Sequence, residues 1–597
     1  MCGINLVLND EGGEAAIQRM MAATAHRGPD HSAWLKPAEG VFMAGNRLKT
    51  HDLGTAGNQP IVLEDGTAAL VWNGALYNYD ELRNQLLGQG VLFNSTADAE
   101  VLIHWLRIYE EEGIKQLEGM FALIFIDRRA GKIIVARDSH GKKPLYYSRR
   151  HSQWLFSSEA RGVVASGMFK KKFNSSQYVP YFYSRHSFPD ESFFQGVKQV
   201  RPGEIMTIDL SGNLISSSSM GAEHVPVELP SLPQFQEMVV DAVIKNFQAD
   251  VPVGLILSGG VDSTLLLHSW YQETGQPLHT FTAVFESSYR SKYNDPIFAA
   301  EVAKKHRCAH HEVLITPELV LRHWDDYIAS LDQPVGDSAS FLTWMIAREA
   351  KQYVKILVSG AGADELFSGY DRHKAFRWYL KHRDKISRFS FVGNLNGVLP
   401  RRVKKLLTAV AASPEETYLN FSSLQAIPPE LRSQFLPYFP PGESPYKAAL
   451  LWDKSYYLVN DILKIHDNAT MAHGVEGRAP YLDRALVALS QNMPEEQHLS
   501  IEGKYWMKEV LREAGWGKIA SRRKLGFGLP LQEWLQEDSD FSRKVFSTVK
   551  GFGAPSGSEM PEEMRKLALQ PEKEKQTAFL QIWNLFILAT WKQQQGL

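Results

Sequence analysis

The sequence predicts a two-part protein of mixed α+β and α/β class, and three observations carry the prediction. Short apolar or alternating runs closed by turn signals crowd the first 210 residues, apolar strand-like runs alternate with helical stretches after residue 234, and long helical patterns dominate from residue 375. A chain of 597 residues has room for several domains of ordinary size. With 44% hydrophobic and 22% charged residues it can build its cores without metals or disulfides.

In the first part, GINLVLND, GVFMAGNRLKT, TAALVWNG, MFALIFIDRRAGKIIVARD and QWLFSSE read as strands of stacked antiparallel sheets, with turns at EDG and RRAG. Between them, EAAIQRMMAATA and ADAEVLIHWLRIYEEEG repeat apolar residues at three to four, the period of a helix. A Ser-, Gly- and Pro-rich stretch at 208–234 sets the boundary, which gives domains over 2–210 and 235–597 and a linker at 211–234. Past it, VPVGLIL, LHTFTAVF and VKILVS alternate with IFAAEVAKKH and FLTWMIAREAKQ, the pattern of a parallel sheet wrapped by helices. SPYKAALLWDKSYYLVNDILKIHDNATMAHG belongs to the helical C-terminal part, and no internal repeat is present.

Charge and composition narrow the function. The net charge of −2, from 65 basic and 67 acidic residues, supplies no field that recruits nucleic acid or an anionic membrane. No apolar run approaches the roughly 18 to 20 residues of a membrane span, and the start lacks a signal peptide's basic and apolar regions, so a cytoplasmic protein is expected. Cys2 and Cys308, the two cysteines, suit a reducing compartment, and Cys308 reads as structural. His310 and His311 are adjacent in an extended segment, point to opposite faces, and read as structural rather than metal-binding.

The most specific short motif is VPVGLILSGGVDSTLLLHSW at 251–270, an apolar strand that runs through SGGVDS into a helix. Its glycines allow close backbone approach and the new helix offers N–H groups, so Ser258, Gly259, Gly260 and Ser263 would cradle phosphate while Asp262 meets Mg²⁺. The motif is not a Walker A loop; it resembles the pyrophosphate loop of the N-type ATP pyrophosphatases, which split ATP into AMP and pyrophosphate. A second turn of this kind, VKILVSGAGADELFSGY, places Ser359 and Gly360 beside the nucleotide and Asp364 near metal or pyrophosphate. At the other end of the chain Cys2, once Met1 is removed, carries both a thiol and an α-amine, a nucleophile and a base on one residue. Taken alone, it reads better as an idle terminal cysteine.

Taken in order, MCGI, HRGPD, NGALYN, RDSHGKKPLYY, SGGVDST, SGAGADELFSGY, EGRAPYLD and RRKLGFGLP make nearly the whole chain resemble the glutamine-hydrolysing asparagine synthetases. The resemblance implies a class II glutamine amidotransferase domain, built as the αββα sandwich of an N-terminal nucleophile hydrolase, ahead of an adenylating synthetase domain. It implies that Cys2 attacks the glutamine side-chain amide, that Asn73 and Gly74 stabilise the oxyanion, that Arg47 receives the α-carboxylate and Asp98 the ammonium. In the second half it implies backbone contacts to the nucleotide at Leu257 and Ala283, metal at Asp262 and Asp364, and a pyrophosphate contact at Lys524. L-Glutamine, L-aspartate and ATP with Mg²⁺ are the implied substrates and cofactor, β-aspartyl-AMP the implied intermediate, and a largely apolar passage the implied route for ammonia. A homodimer is compatible with the resemblance.

Two positions depart from the family pattern. Ala75 stands where NGE supplies a glutamate for the substrate ammonium, and Ala361 stands where SGEGSDE supplies one tied to adenylate formation. Glu365 or Glu476 is an alternative carboxylate for that chemistry, with no base assigned. The same machinery with a different acceptor acid remains open, and the segment at 331–341 is expected to border the acceptor pocket. A nucleotide or glutamine sensor without turnover is the reading from another class.

Overall fold

The computed structural model describes residues 2–10, 12–221, 228–289, 292–389, 409–500, 502–522, 526–554 and 559–597. The first half contains β1 (Cys2–Leu8), β2 (His31–Ala38), β3 (Val41–Arg47), β4 (Ile61–Val62), β5 (Ala68–Leu76) and β6 (Gly119–Asp127). It continues with β7 (Lys132–Arg137), β8 (Tyr146–Arg150), β9 (Gln153–Ser157), β10 (Lys198–Gln199), β11 (Glu204–Asp209) and β12 (Leu214–Ser219). These strands form two six-stranded sheets, β10-β8-β9-β1-β3-β2 and β12-β11-β7-β6-β5-β4.

The period-two alternation of the strands makes the sandwich. Ile4, Leu6 and Leu8 of β1 and Met43 of β3 meet Val71, Ile124, Ile126 and Val135 of the other sheet, while Val7 faces outward onto Ile17 and Met20 of the helix Gly13–Ala23. Helices Tyr79–Gly88 and Asp98–Ile114 cover the second sheet through Leu82, Leu86, Leu102 and Trp105. The result is the expected αββα layering. Leu214–Ser219, read above as part of a linker, instead pairs antiparallel with β11 as an edge strand. Its Ser-rich residues are mostly exposed, so backbone hydrogen bonds hold it and no apolar pattern betrays it.

The second half is built on a parallel sheet of β13 (Val253–Ile256), β14 (His279–Phe285), β15 (Ala309–Ile315), β16 (Ile356–Val358) and β17 (Glu476–Arg478), in the order β15-β14-β13-β16-β17. The chain moves outward to one side of β13 and then to the other, so the order reverses between β13 and β16. That switch point opens a crevice at the carboxyl ends of those two strands, where both Gly-rich turns emerge. His310 and His311 lie on β15 and bond to Thr280 (2.9 Å) and His279 (3.0 Å) of β14, consistent with structural roles.

The segment at 445–471 is one long helical run. Its middle, Asp453–Ile462, has π geometry between α-helical Pro445–Trp452 and Leu463–Met471. The wider turns bury Asp453, Asn460 and Asp461. Among the described residues no helix is long and apolar enough to cross a membrane.

Candidate active sites

At the first centre, β1 and β3 pair Cys2 directly opposite Arg47. The Cys2 backbone N–H donates to Asn73 Oδ1 (3.0 Å), and Gln59 Nε2 donates to Cys2 Sγ (3.3 Å). Asn73 Nδ2 is buried without a hydrogen-bond partner among the described residues, the state expected of a donor kept for a developing oxyanion. Gly74 is required beside it, since a Cβ there would meet Met120 O at 2.2 Å. Burial pushes the Cys2 thiol up, opposed by the Leu48 backbone amide and the Arg47 charge.

The Arg47 guanidinium gathers the loop that follows β3, donating to Gly54 O (2.8 Å), His51 O (3.0 Å), Asp52 O (2.5 Å) and Asn58 Oδ1 (3.0 Å). It thus shapes the wall of the site from below. Asp98 opens the helix Asp98–Ile114, its carboxyl raised by burial and opposed by His51 across the same loop. Cys2, Arg47, Asn73, Gly74 and Asp98 are therefore assembled around one loop, with Ala75 buried and contributing no charge.

At the second centre the two turns touch. A Cβ on Gly360 would meet Asp262 Cβ at 2.9 Å, so only glycine permits this approach. Gly259 holds φ +67, where a Cβ would meet Asp295 O at 2.5 Å. Ser263 Oγ accepts from the Ser258 N–H (3.1 Å) and pairs with Ser258 Oγ (3.1 Å), which curls the loop onto the start of the helix Val261–Thr274. The Ser359 N–H donates to Arg478 O (3.0 Å), while Ser359 Oγ is buried without a hydrogen-bond partner among the described residues. β13 pairing ends at Ile256–Phe281, and the Leu257 N–H bonds Phe281 O (2.9 Å), so that β14 runs on past it through Ala283.

Sequence reading missed Lys504. Its Nζ stands 2.6 Å from Asp262 Oδ1 and 2.6 Å from Asp364 Oδ1, bridging the two turns. Lys504 takes a left-handed conformation (φ 61), and its N–H donates to Phe367 O (2.7 Å). A non-glycine residue held there is a mark of function, but IEGKYWMK carries no signal of it beyond one charge in a helical pattern. Lys524 lies outside the described residues; Arg522 donates to Gly259 O (3.2 Å) and pairs with Asp295, so Arg522 itself reaches the phosphate loop.

The carboxylates expected near Ala361 separate. Glu476 pairs with Ile356 at the first position of β16, at the amino end of the strands, whereas the two turns leave from their carboxyl ends. Its Oε2 accepts from Thr50 (3.1 Å) and its Oε1 pairs with Arg478 Nε (2.6 Å), which removes it from the nucleotide crevice and puts it beside the Cys2 loop. Glu365 directly follows Asp364 and bonds Tyr370. Burial, joined by the Asp364 charge, pushes its carboxyl up to about 7. A carboxyl raised in the folded state gives stability that is complete below about 4.5 and lost as pH rises through about 7. Wild type should therefore lose on the order of 3 kcal/mol between pH 4.5 and 8 relative to Glu365→Gln. Urea midpoints of both proteins at pH 5, 6, 7 and 8 check this, and parallel profiles would contradict it.

Next to Glu365 sits a buried polar cluster bordered by the 331–341 segment. Arg185 Nη1 pairs with Asp337 Oδ2 (2.5 Å), and Arg372 lies over the Tyr370 (4.0 Å) and Tyr457 (4.4 Å) rings while pairing with Asp453 (2.9 Å). Asp461 faces this group from the π-helical turn. Both its oxygens are buried without a hydrogen bond of normal geometry, and burial with the nearby Asp337 charge pushes it up to about 8. The two guanidinium groups pair with Asp337 and Asp453, which leaves Asp461 as a buried carboxyl that pairs with neither and holds its proton near neutral pH.

The halves meet over HRGPD and the segment after Asp461. Arg27 pairs with Glu159 (2.9 Å) and Asp467 (2.9 Å), and Lys143 Nζ donates to Gly477 O (2.9 Å). A water-sized cavity of about 10 Å³ at this seam is lined by Met120, Leu463 and Ala479, but also by Lys142, Lys143, His466 and Asp467. The seam is polar at this point, where buried ion pairs hold the halves together.

Comparison with known proteins agrees with this two-centre arrangement. The family model described as "Asparagine synthase" matches residues 234–593, and that described as "Glutamine amidotransferase domain" matches 1–217. The chain is 29% identical over 574 residues to the glutamine-hydrolysing asparagine synthetase 1 of Bacillus subtilis, covering 90% of this chain and 88% of the relative. It is 27% identical over 524 residues to asparagine synthetase 3 of that organism, covering 83% and 81%. It is also 26% identical over 600 residues to amidase chry2 of Gibberella zeae, covering 86% of each.

Proposed function

The chain belongs to the asparagine synthase family, with a glutamine amidotransferase domain ahead of an ATP-using synthase domain, and on that premise we propose that it transfers the amide nitrogen of L-glutamine to the side-chain carboxylate of L-aspartate. The observation that carries the reading is β17: Thr50 of the Cys2 loop donates to Glu476 at its start (3.1 Å), and Ser359 of the nucleotide turn donates to Arg478 O at its end (3.0 Å). One three-residue strand joins the two centres.

At the first centre Cys2 Sγ attacks the glutamine amide carbon. The α-amine exposed by removal of Met1 carries the proton to the leaving nitrogen, and Asn73 Nδ2 and the Gly74 N–H stabilise the oxyanion. Arg47 and its loop hold the substrate α-carboxylate end, and Asp98 receives the ammonium. Water then cleaves the thioester to glutamate. At the second centre Leu257, Ser258, Gly259, Gly260, Ser263, Ala283, Ser359 and Gly360 cradle ATP. The acceptor carboxylate attacks the α-phosphorus, pyrophosphate leaves past Lys504 and Lys524, and ammonia displaces AMP from the acyl carbon. Asp262 and Asp364 with pyrophosphate oxygens form the hard oxygen donor set that Mg²⁺ takes, and the ion would offset charge on the leaving group. Ala361 has no part in proton transfer.

Asp461 favours aspartate over an acid without an amino group, because a buried carboxyl without a guanidinium partner can give up its proton and pair with a substrate ammonium. Asp461→Asn should raise the aspartate KM roughly tenfold or more with a smaller effect on the ATP KM. The test of the whole reading is a panel of acids with ATP, Mg²⁺ and glutamine, read by pyrophosphate release. Aspartate-dependent release supports it, and release only with a different acid overturns it.

A further inference from the structure

A cavity of about 280 Å³ lies between the halves, and no residue assigned above to either centre lines it. Its walls come from Tyr77 and the turn carrying His140 and Lys142 on one side, and from Lys454, Leu482 and Arg484 on the other. The charges of Lys454 and Lys142 both bear on His140, so the three basic groups converge. His140 Nδ1 is buried with no hydrogen-bond partner among the described residues. Burial pulls the Lys454 amine down to about 8, and Lys142 Nζ donates to Leu482 O (3.3 Å) and lies 5.5 Å from the centre of the Tyr77 ring.

The nearby carboxylates act on Lys142 through their charge but spend their hydrogen bonds on other groups. Asp138 accepts the backbone N–H groups of Phe121 (3.2 Å), His140 (3.1 Å), Lys142 (3.0 Å) and Lys143 (3.1 Å). Glu118 pairs with Arg484 (3.2 Å) and Lys245 (3.7 Å), and Asp483 caps the helix at Ala485 (3.0 Å). Amines half-buried in a cavity, with no salt bridge within 4 Å among the described residues, are stabilised by an anion that enters with them.

We propose that this cavity binds a small oxyanion, a phosphate or a carboxylate, on Lys142, Lys454 and His140, and that its occupancy tunes the coupling between glutamine hydrolysis and amide formation. The volume exceeds a single water and admits inorganic phosphate or a four-carbon dicarboxylate. The coupling follows from what Lys142 touches. It lines the seam cavity as well as this one, and its carbonyl partner Leu482 packs on Gly362 of the nucleotide turn, where a Cβ would meet Leu482 Cδ2 at 2.6 Å. An anion that draws Lys142 off Leu482 loosens the seam and the nucleotide turn together.

The coupling part rests on the proposed function, whereas binding does not, and the experiment separates them. Inorganic phosphate and succinate are titrated calorimetrically into the full-length protein saturated with a non-hydrolysable ATP analogue. One saturable site is expected, weakened at least roughly tenfold in Lys454→Met and restored to within about threefold in Lys454→Arg. Binding of phosphate alone identifies a phosphate ligand, and of succinate alone a carboxylate. Absence of a saturable site, or equal binding by Lys454→Met, overturns the proposal. The ratio of glutamate to pyrophosphate formed should shift about twofold with the anion in wild type and not in Lys454→Met, and an unchanged ratio overturns the coupling. If no pyrophosphate forms under any condition, the proposed function fails while the binding result stands.

Discussion

Cys2→Ala is expected to abolish glutamine-dependent product formation, by roughly 10⁴-fold or more, and to leave synthesis from free ammonium salts within about twofold of wild type. The size of the first effect follows from chemistry, because the methyl group of alanine cannot attack the amide carbon. Cys2 is held by the N–H bond to Asn73 and the Gln59 contact to its sulfur, and Cys308, the other cysteine, lies on the far side of the second half at the start of β15. The second effect follows from architecture, because every residue assigned to the nucleotide comes from beyond residue 250. The side chain removed is small and buried at a strand end, so folding should survive. Glutamate release and pyrophosphate release measured in parallel check both halves, and glutamine-dependent turnover surviving in the variant would remove Cys2 from the chemistry.

Lys504→Met is expected to lower pyrophosphate formation by roughly 10²- to 10³-fold, while glutamine hydrolysis changes by less than about threefold. The ammonium bridges Asp262 and Asp364 at 2.6 Å each, and without it two carboxylates lose their shared counter-charge at the point where pyrophosphate must leave. Lys504→Arg, which keeps the charge but changes its shape, should recover part of the rate. A Lys504→Met enzyme with normal pyrophosphate release would show that the bridge is structural.

The motifs were readable in the sequence where local geometry is encoded locally. SGGVDS and SGAGAD follow apolar strands and need glycine for contacts that the fold does make, as at Gly259 and Gly360. The paired strands around Cys2 were readable from alternation alone. What could not be read were residues whose role depends on long-range placement. Lys504 acts through a left-handed backbone and a partner 242 residues away. Asp461 is placed by the register of a π-helical turn, and Glu476 lies at the amino end of the parallel strands, away from the turns, because of the register in which β17 pairs with β16. The Ser-rich Leu214–Ser219 strand was taken for a linker because an exposed edge has no apolar face to announce it.

The central claim is that nitrogen freed at Cys2 is consumed at the nucleotide crevice of the same chain. Glutamine labelled with ¹⁵N in its amide, supplied with aspartate, ATP, Mg²⁺ and unlabelled ammonium at a concentration too low to support synthesis alone, tests it directly. The account predicts a ¹⁵N-labelled amide product formed together with AMP and pyrophosphate. Glutamate release without a labelled amide would contradict it.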